Sequence, residues 1–322
     1  MTAAGDGTAR PADDASAVGD ARQLYDRVAQ ETASIVIRRY STSFGLAARL
    51  LGGDIRQDVE NVYALVRIAD EIVDGLAAAA GLDPERVLRM LDALEQDTED
   101  AMETGYSSNL VVHAFAISAR SAGIEVDLTR PFFASMRADL SRTVHTPETF
   151  RDYVYGSAEV VGLMCLRIFL RGHDVDDAQR AAFVVGARSL GAAFQKVNFL
   201  RDLSADHDEL GRSYFPGVAV DELTEAQKHS LLDDIEADLD RSAAVLGRLP
   251  KSSRRAVALA QELFSELARR IRTTPASALV RTRVRVPDPV KLRIAAGALA
   301  GRTPATTGTT ASIPTIDESS QS

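Results

Sequence analysis

Apolar residues recur at helical spacing along almost the whole chain, and no strand-rich block or internal repeat interrupts this pattern. Leu24, Val28 and Ile35 belong to the first such stripe, and Asp83 followed by Pro84 is a usual start of a helix. The predicted helices lie at 21–39, 54–75, 84 onward, 107–122, 131–141 with Pro131 as its first residue, 147–171, 181–205, 221–248 and 254–273. The sequence therefore predicts an all-α fold.

One predicted helix carries polar residues along a face that an amphipathic helix would normally make apolar. Four residues spaced three, four and four apart share this face, and they are Gln195, Asn198, Asp202 and Asp206. Two carboxylates one turn apart repel each other unless a positive charge lies between them. For any single pair of this kind, a solvated helix surface is a sufficient explanation.

A second helix repeats the arrangement in apolar surroundings. Four residues spaced four, three and four apart share a face, and they are Tyr63, Arg67, Asp70 and Asp74. Buried carboxylates need a metal ion or a cationic partner. Oxygen ligands without nearby Cys or clustered His favour Mg²⁺ over zinc, and Mg²⁺ fills its other positions with water and phosphate oxygens. The implied ligand is a diphosphate.

Five stretches of the chain form a recognisable series. They are Tyr40-Ser-Thr-Ser-Phe44, the Arg67–Asp74 motif, Tyr153-Val-Tyr-Gly156 with Val160-Val-Gly162, the Gln195–Asp206 motif followed by Arg212-Ser-Tyr-Phe-Pro216, and the basic stretch Arg281–Lys291. Together they resemble the phytoene, squalene and dehydrosqualene synthases, and the resemblance spans roughly residues 24–295. Each motif alone is weak, whereas their combination is specific.

This resemblance implies an isoprenoid synthase fold, which is a single-domain helical bundle around a central cavity, over residues 21–300. It implies that Mg²⁺, or Mn²⁺ in its place, is held by Asp70, Asp74, Asn198, Asp202 and Asp206. It assigns substrate contacts to Ser41, Ser43, Phe44, Arg67, Asp139, Gln195, Asn198, Arg201 and Tyr214. Beside the four aspartates, Tyr63 and Tyr153 are candidate catalytic residues because aromatic faces stabilise cations, although packing explains an aromatic residue equally well.

The implied reaction joins two prenyl diphosphates head to head through a cyclopropylcarbinyl diphosphate. The segments Tyr40–Leu51 and Tyr153–Leu166 are most similar to bacterial phytoene synthases, so the expected substrate is geranylgeranyl diphosphate and the expected product is phytoene. Phytoene formation ends with proton loss, and NADPH is therefore not expected. The alternatives are squalene or dehydrosqualene synthesis from farnesyl diphosphate, and a non-catalytic relative that binds prenyl diphosphates.

Charge and composition narrow the range of partners. The net charge of -9, from 46 acidic and 37 basic residues, argues against a nucleic-acid-binding protein. The sequence contains neither a Gly-x-Gly-x-x-Gly fingerprint after a strand nor a Gly-Lys-Ser/Thr phosphate loop, which argues against the common dinucleotide and nucleoside-triphosphate enzymes. Cys165 is the only cysteine, so an intrachain disulfide is excluded and a reducing cytoplasm is expected.

The ends of the chain and its most apolar stretch indicate whether the protein is secreted or inserted in a membrane. Residues 1–20 are small, polar and acidic, and they predict a disordered tail rather than a secretory signal; residues 301–322 predict a second tail. The stretch 153–170 is interrupted by Glu159 and Arg167, and its hydrophobicity is too marginal for a membrane span. Glu159 is expected to face solvent or to pair with an Arg.

The basic stretch Arg281–Lys291 could contact a diphosphate or anionic lipid, or simply be solvated. We expect a cytoplasmic protein, at most peripheral on a membrane, with a phytoene-processing enzyme as its downstream partner.

Overall fold

The computed structural model describes residues 12–41, 43–74, 76–210, 214–219 and 222–301. These residues form α-helices and one π-helical turn, without a strand, which confirms the predicted all-α class. The helices are α1 (Ala12–Tyr40), α2 (Ser43–Ala48), α3 (Gly53–Val73), α4 (Leu76–Ala79), α5 (Pro84–Thr104), α6 (Leu110–Ala122), α7 (Val126–Ser141), α8 (Pro147–Val154), α9 (Val160–Leu170), α10 (Asp177–Leu210), α11 (Glu225–Leu246), α12 (Lys251–Thr273), α13 (Ala276–Leu279) and α14 (Asp288–Leu299). The π turn, Tyr155–Glu159, joins α8 to α9.

The first helix starts earlier than its apolar stripe suggested. It begins at Ala12 rather than at residue 21, and so includes part of the range expected to be a disordered tail. This segment is rich in alanine, the residue with the highest helix propensity, which favours extension of the helix. The remaining parts of the two predicted tails, 1–11 and 302–322, lie outside the described residues.

The prediction that Pro131 opens a helix is wrong. Helix α7 begins at Val126, and Pro131 lies inside it. A proline at this position removes one backbone hydrogen bond because it has no N–H. Burial of Leu128 and Phe132 on the same helix offsets that loss, since each buried apolar side chain contributes about 1.5–3 kcal/mol. The sequence analysis also missed α13 and α14, the second of which lies partly within the basic stretch.

Two apolar cores meet along the segment α8–π turn–α9. The larger core is formed mainly by α1, α3, α5, α6, α7 and α9, and it includes Val160 and Met164. The second core is formed by α8 and α10–α13, and it includes Tyr153 and Val154. A single helical segment therefore contributes to one core before the π turn and to the other core after it.

Glycines allow this segment to approach its neighbours closely. A Cβ atom added at Gly156 would lie 2.2 Å from both the Pro131 carbonyl oxygen and Ser135 Oγ of α7. A Cβ at Gly162 would lie 2.5 Å from the Ala187 carbonyl oxygen of α10, and one at Gly191 would lie 2.5 Å from the Ala158 carbonyl oxygen. The π turn is thus fixed between α7 and α10 by backbone contacts that only glycine permits.

Among the described residues, Pro147–Leu170 is long and apolar enough, by length and composition, to cross a membrane, although the sequence analysis judged this stretch too marginal. Half of its most apolar window is buried inside the protein, as in the core helix of a globular protein. Glu159 within it accepts a hydrogen bond from Arg188 Nε at 2.6 Å. The expected pairing of Glu159 with an arginine is therefore confirmed.

Gly156→Ala should destabilise the protein by about 1–3 kcal/mol, because the new methyl group would overlap a backbone carbonyl that cannot move freely. The measurement is the free energy of unfolding in denaturant. Gly247→Ala is the matched control, since a Cβ there meets nothing within 4 Å and its φ of -61° suits any residue. Equal effects of the two substitutions would contradict the close-approach explanation.

Candidate active site

The first wall of the candidate site forms where α1 gives way to α2. Ser41 Oγ accepts a hydrogen bond from the Phe44 backbone N–H at 3.1 Å, and the Ser41 side chain is close enough to Tyr63 of α3 to act on the pKa of its hydroxyl. The Phe44 ring stacks on the Tyr63 ring with centroids 5.5 Å apart. Burial raises the pKa of the Tyr63 hydroxyl, which therefore stays neutral. The structure brings Ser41, Phe44 and Tyr63 together, whereas the side chain of Ser43 lies outside the described residues.

Arg67 lies one turn further along α3 and has contacts that the sequence analysis did not identify. Its guanidinium forms an ion pair with Glu71 and lies over the ring of Tyr40, with Cζ 4.7 Å from the ring centroid. Its Nε is buried and has no hydrogen-bond partner in the described part of the chain. The i,i+4 spacing of Arg67 and Glu71 was a usable sequence signal, whereas nothing in the sequence indicated Tyr40.

Among the predicted ligands whose side chains are described, Asp70 has the most perturbed carboxyl group. Burial, followed by the nearby charge of Asp74, raises its pKa to about 8; Arg67 opposes this rise and Asp139 adds to it. Asp139 of α7 is thus close enough to act on the first aspartate motif. The protein therefore holds Asp70 close to two other carboxyl groups, in surroundings that disfavour its ionised form.

Asp139 also connects the first motif to an aromatic cluster. Tyr153 Oη donates a hydrogen bond to Asp139 Oδ2 at 2.7 Å, and Tyr214 Oη donates to Asp139 Oδ1 at 3.4 Å. Burial raises the pKa of Tyr153 well above its usual value, so its hydroxyl remains a donor. Phe199 stacks on Tyr214 with centroids 3.9 Å apart, and the His145 ring lies 5.0 Å from that of Tyr153. No sequence signal pointed to His145.

In the second aspartate motif, two arginines compensate the negative charge of Asp202. Asp202 Oδ1 accepts hydrogen bonds from Arg201 Nε at 2.9 Å and pairs with Arg283 Nε at 2.7 Å. Arg283 comes from the basic stretch that the sequence analysis considered for diphosphate or lipid contact. On the same helix, Gln195 is half-buried, and Asn198 Oδ1 is buried without a hydrogen-bond partner among the described residues. Asp206 lies in α10, but its side chain is outside the described residues.

The donor set can be compared with the needs of a hard cation. No three His, Cys, Asp or Glu side chains within the described ranges lie close enough together to hold a metal ion. Two other features suit Mg²⁺: the proximity of the Asp70, Asp74 and Asp139 carboxyl groups, and the buried amide oxygen of Asn198, which has no hydrogen-bond donor among the described residues. These features suit a hard cation, although the described carboxyl groups do not form a cluster of three that could hold a metal ion.

The all-α bundle of this protein has counterparts among solved structures. A ligand complex of a dehydrosqualene synthase superposes with a TM-score of 0.72 and 25% identity, covering 87% of this chain and 98% of that chain. A squalene synthase from Alicyclobacillus acidocaldarius has a TM-score of 0.66 and 21% identity, covering 78% of this chain and 97% of that chain. The isoprenoid synthase fold is thereby confirmed.

Residues 37–289 match the family described as squalene/phytoene synthase, and the chain belongs to this family. A 15-cis-phytoene synthase from a Paracoccus species is 32% identical over 199 residues, which are 59% of this chain and 61% of that protein. A bifunctional lycopene cyclase/phytoene synthase from Phaeosphaeria nodorum is 26% identical over 279 residues, which cover 77% of this chain and 47% of the relative. The chain thus spans about half the length of the bifunctional relatives it matches.

Asp70→Asn should stabilise the metal-free protein increasingly as pH rises. In the native state Asp70 keeps its proton up to about pH 8, whereas an unfolded Asp loses it near its ordinary pKa of about 3.9, so ionisation costs native stability between these values. Asparagine cannot ionise and avoids this cost. The melting midpoint of the variant relative to wild type should rise by at least about 2 °C from pH 5 to pH 8.5, since a pKa unit corresponds to about 1.4 kcal/mol.

Thermal melts in the presence of a chelator provide the measurement. Asp174→Asn, at an exposed position before α10, serves as the control and should show the same difference from wild type at both pH values. A difference for Asp70→Asn that does not grow with pH would mean that this carboxyl ionises normally in the native protein.

Proposed function

We propose that this protein condenses two geranylgeranyl diphosphates head to head to phytoene, through a cyclopropylcarbinyl diphosphate. The observation that carries the proposal is the buried Asp70 carboxyl group, whose pKa is raised to about 8 beside Asp74 and Asp139, next to the Nε of Arg67, which has no hydrogen-bond partner among the described residues, in a member of the squalene/phytoene synthase family. The choice of phytoene is supported by the relative named 15-cis-phytoene synthase, at 32% identity, against 28% for the 4,4'-diapophytoene synthase of Staphylococcus haemolyticus.

The two motifs supply complementary parts of a diphosphate site. Asp70, Asp74, Asn198, Asp202 and Asp206 would hold Mg²⁺, or Mn²⁺ in its place. When bound, this ion supplies the Lewis acidity that stabilises a departing diphosphate. Arg67 Nε and the guanidinium of Arg201 bind phosphate oxygens that the metal leaves free. The start of α2 borders this site. Ser41 accepts a hydrogen bond from the Phe44 backbone, and the Phe44 ring stacks on Tyr63, which lies one turn before Arg67 on α3.

The chemistry has two ionisations and consumes no reductant. First, the allylic C–O bond of one substrate breaks and its diphosphate leaves with the electron pair; the double bond of the second substrate forms the new C–C bond, and a proton is lost as the cyclopropane closes. Second, the remaining C–O bond breaks, the skeleton rearranges, and a second proton is lost to give the neutral hydrocarbon. NADPH is therefore not part of the proposed reaction.

Aromatic residues stabilise the cations in this scheme. The Tyr63 ring is fixed by its stack on Phe44, and the Tyr153 ring is fixed by its hydrogen bond to Asp139. A neutral phenol ring presents a negative face to a passing carbocation, and exclusion of water protects that cation from capture. Asp139 is a positioning residue in this scheme because it holds Tyr153 and Tyr214.

Farnesyl diphosphate is the second candidate substrate, favoured by the superposition on a dehydrosqualene synthase at a TM-score of 0.72. A binding protein without catalysis is the third candidate. We place the proposed enzyme in the cytoplasm, where a phytoene-processing enzyme would take up its product.

Product analysis distinguishes these candidates. With geranylgeranyl diphosphate and Mg²⁺, and without NADPH, we expect phytoene; farnesyl diphosphate should give less product, and added NADPH should change nothing. Asp70→Asn and Asp202→Asn should each lower turnover by at least about 100-fold, because even partners that only orient metal ligands contribute 10–100-fold. Asp174→Asn should retain full activity. Hydrocarbon only from farnesyl diphosphate would reverse the substrate choice, and no hydrocarbon from either substrate would favour the binding protein.

Ligand-dependent stability tests the site without any turnover. Inorganic diphosphate with Mg²⁺ should raise the melting midpoint, since a ligand at 100 times its dissociation constant stabilises the native state by about 2.7 kcal/mol. Diphosphate alone should have little effect because it adds negative charge to a site already rich in carboxylates. The Asp70→Asn/Asp202→Asn double variant should lose the shift, and Asp174→Asn should keep it. A full shift in the double variant would place the diphosphate elsewhere.

A further inference from the structure

Helix α14 uses only one of its apolar sides in packing. Ile294, Ala295 and Ala298 lie in a small core shared with α2 and α12. On another side, Leu292 is 66% exposed and Leu299 is 54% exposed. These two leucines are seven residues apart, with the exposed Ala296 between them, so they lie along one face of the helix.

Positive charge surrounds this face. Arg281 and Arg285 lie in the loop that leads into α14, and Arg293 follows Leu292 on the helix. All three are exposed, and none has an acidic partner in the described part of the chain. Residues 281–293 hold five basic residues and one acidic residue, although the whole chain has a net charge of -9. We call Arg281, Arg285, Leu292, Arg293 and Leu299 the α14 face.

We infer that the α14 face docks on an anionic lipid bilayer. A helix that is apolar on two sides but packs on only one leaves a hydrophobic stripe in water, and such a stripe marks a surface with an occupant. Cations beside the stripe complement the negative surface of an anionic membrane, whereas the rest of this acidic chain is repelled by it.

The dimensions and composition of α14 favour a bilayer surface. With 12 residues, the helix is too short to cross a bilayer and suits a position in the interfacial plane. The face contains no Trp or Tyr, the residues enriched at protein–protein contacts, and its apolar residues are flexible aliphatic ones. Lipid is therefore the occupant that its charge and shape match best.

The position of the face connects it to the candidate active site. Arg283, between Arg281 and Arg285, pairs with Asp202 of the second aspartate motif at 2.7 Å. The loop that carries the cations therefore borders that motif. Where the proposed function holds, this position directs a water-insoluble hydrocarbon toward the membrane; the docking itself does not depend on that function.

Co-sedimentation of the full chain with vesicles tests the inference. We expect binding to vesicles of phosphatidylcholine with phosphatidylglycerol, little binding to phosphatidylcholine alone, and weaker binding as salt increases. Arg285→Glu/Arg293→Glu should lower the affinity by at least about tenfold, because each basic residue near an anionic surface contributes severalfold. Leu292→Ser/Leu299→Ser should lower it by at least about fivefold through loss of buried apolar area.

Matched controls lie on α1, which carries exposed apolar and basic residues together with Glu31. Arg22→Glu/Arg27→Glu and Leu24→Ser/Val28→Ser should bind vesicles as wild type does. The melting midpoint without ligand should stay near that of wild type in every variant, which shows that the variants are folded. This control does not depend on the proposed function, whose own test is the shift with Mg²⁺ and diphosphate.

Several results would overturn the inference. These are equal binding to both kinds of vesicle, no binding to either kind, or binding to the anionic vesicles that the α14 variants leave unchanged. A dimer that Leu292→Ser/Leu299→Ser converts to a monomer would identify the face as a self-contact. Vesicle binding that appears only after removal of residues 302–322 would mean that this segment occupies the face.

Discussion

The electrostatic cost of holding carboxyl groups together in partly buried surroundings governs the design of this protein. Asp70 lies near Asp74 and Asp139, and the environment is unfavourable enough to shift the pKa of Asp70 to about 8. Buried carboxyl groups that lie close together disfavour one another's ionisation, and they stay close only if the backbone that carries them is held in place. The rest of the structure therefore has to hold α3 and α7 firmly.

A polar network on another face of α3 provides that support. Asp58 accepts a hydrogen bond from Ser118 Oγ at 2.7 Å and pairs with Arg171 at 2.8 Å, and Asn61 Nδ2 donates to Ser118 Oγ at 2.9 Å. Arg171 directly follows α9, so this network joins α3 to α6 and to the end of α9. Because buried polar groups are costly when one partner is lost, the network resists rotation of α3 about its axis.

Sequence patterns predicted most of the long helices and put the residues of each aspartate motif on one helix face, because helical periodicity and i,i+4 spacing are local properties. Spacing put Tyr63 and Arg67 on one face of α3, whereas Ser41 and Phe44 were expected near the site only through the family resemblance; the structure brings these residues together. The patterns failed where distant packing decides the outcome. Pro131 lies inside α7 because buried neighbours offset its missing donor, and α14 has no single apolar stripe to reveal it. The contact between Arg283 and Asp202 joins residues 81 apart, a separation that no local pattern reports.

The two motifs differ in how their charge is balanced, and this difference bears on ligand binding. Asp202 has Arg201 and Arg283 as partners, so its carboxylate is compensated within the protein itself. Among the described residues, Arg67 is the cation that opposes the rise in the pKa of Asp70, and its guanidinium is also paired with Glu71. A cation beside Asp70 would favour the ionised form that burial and the neighbouring carboxyl groups disfavour, whereas beside Asp202 it would compete with two guanidinium groups. Those guanidinium groups, once displaced from the carboxylate, are suited to bind the anionic oxygens of a diphosphate.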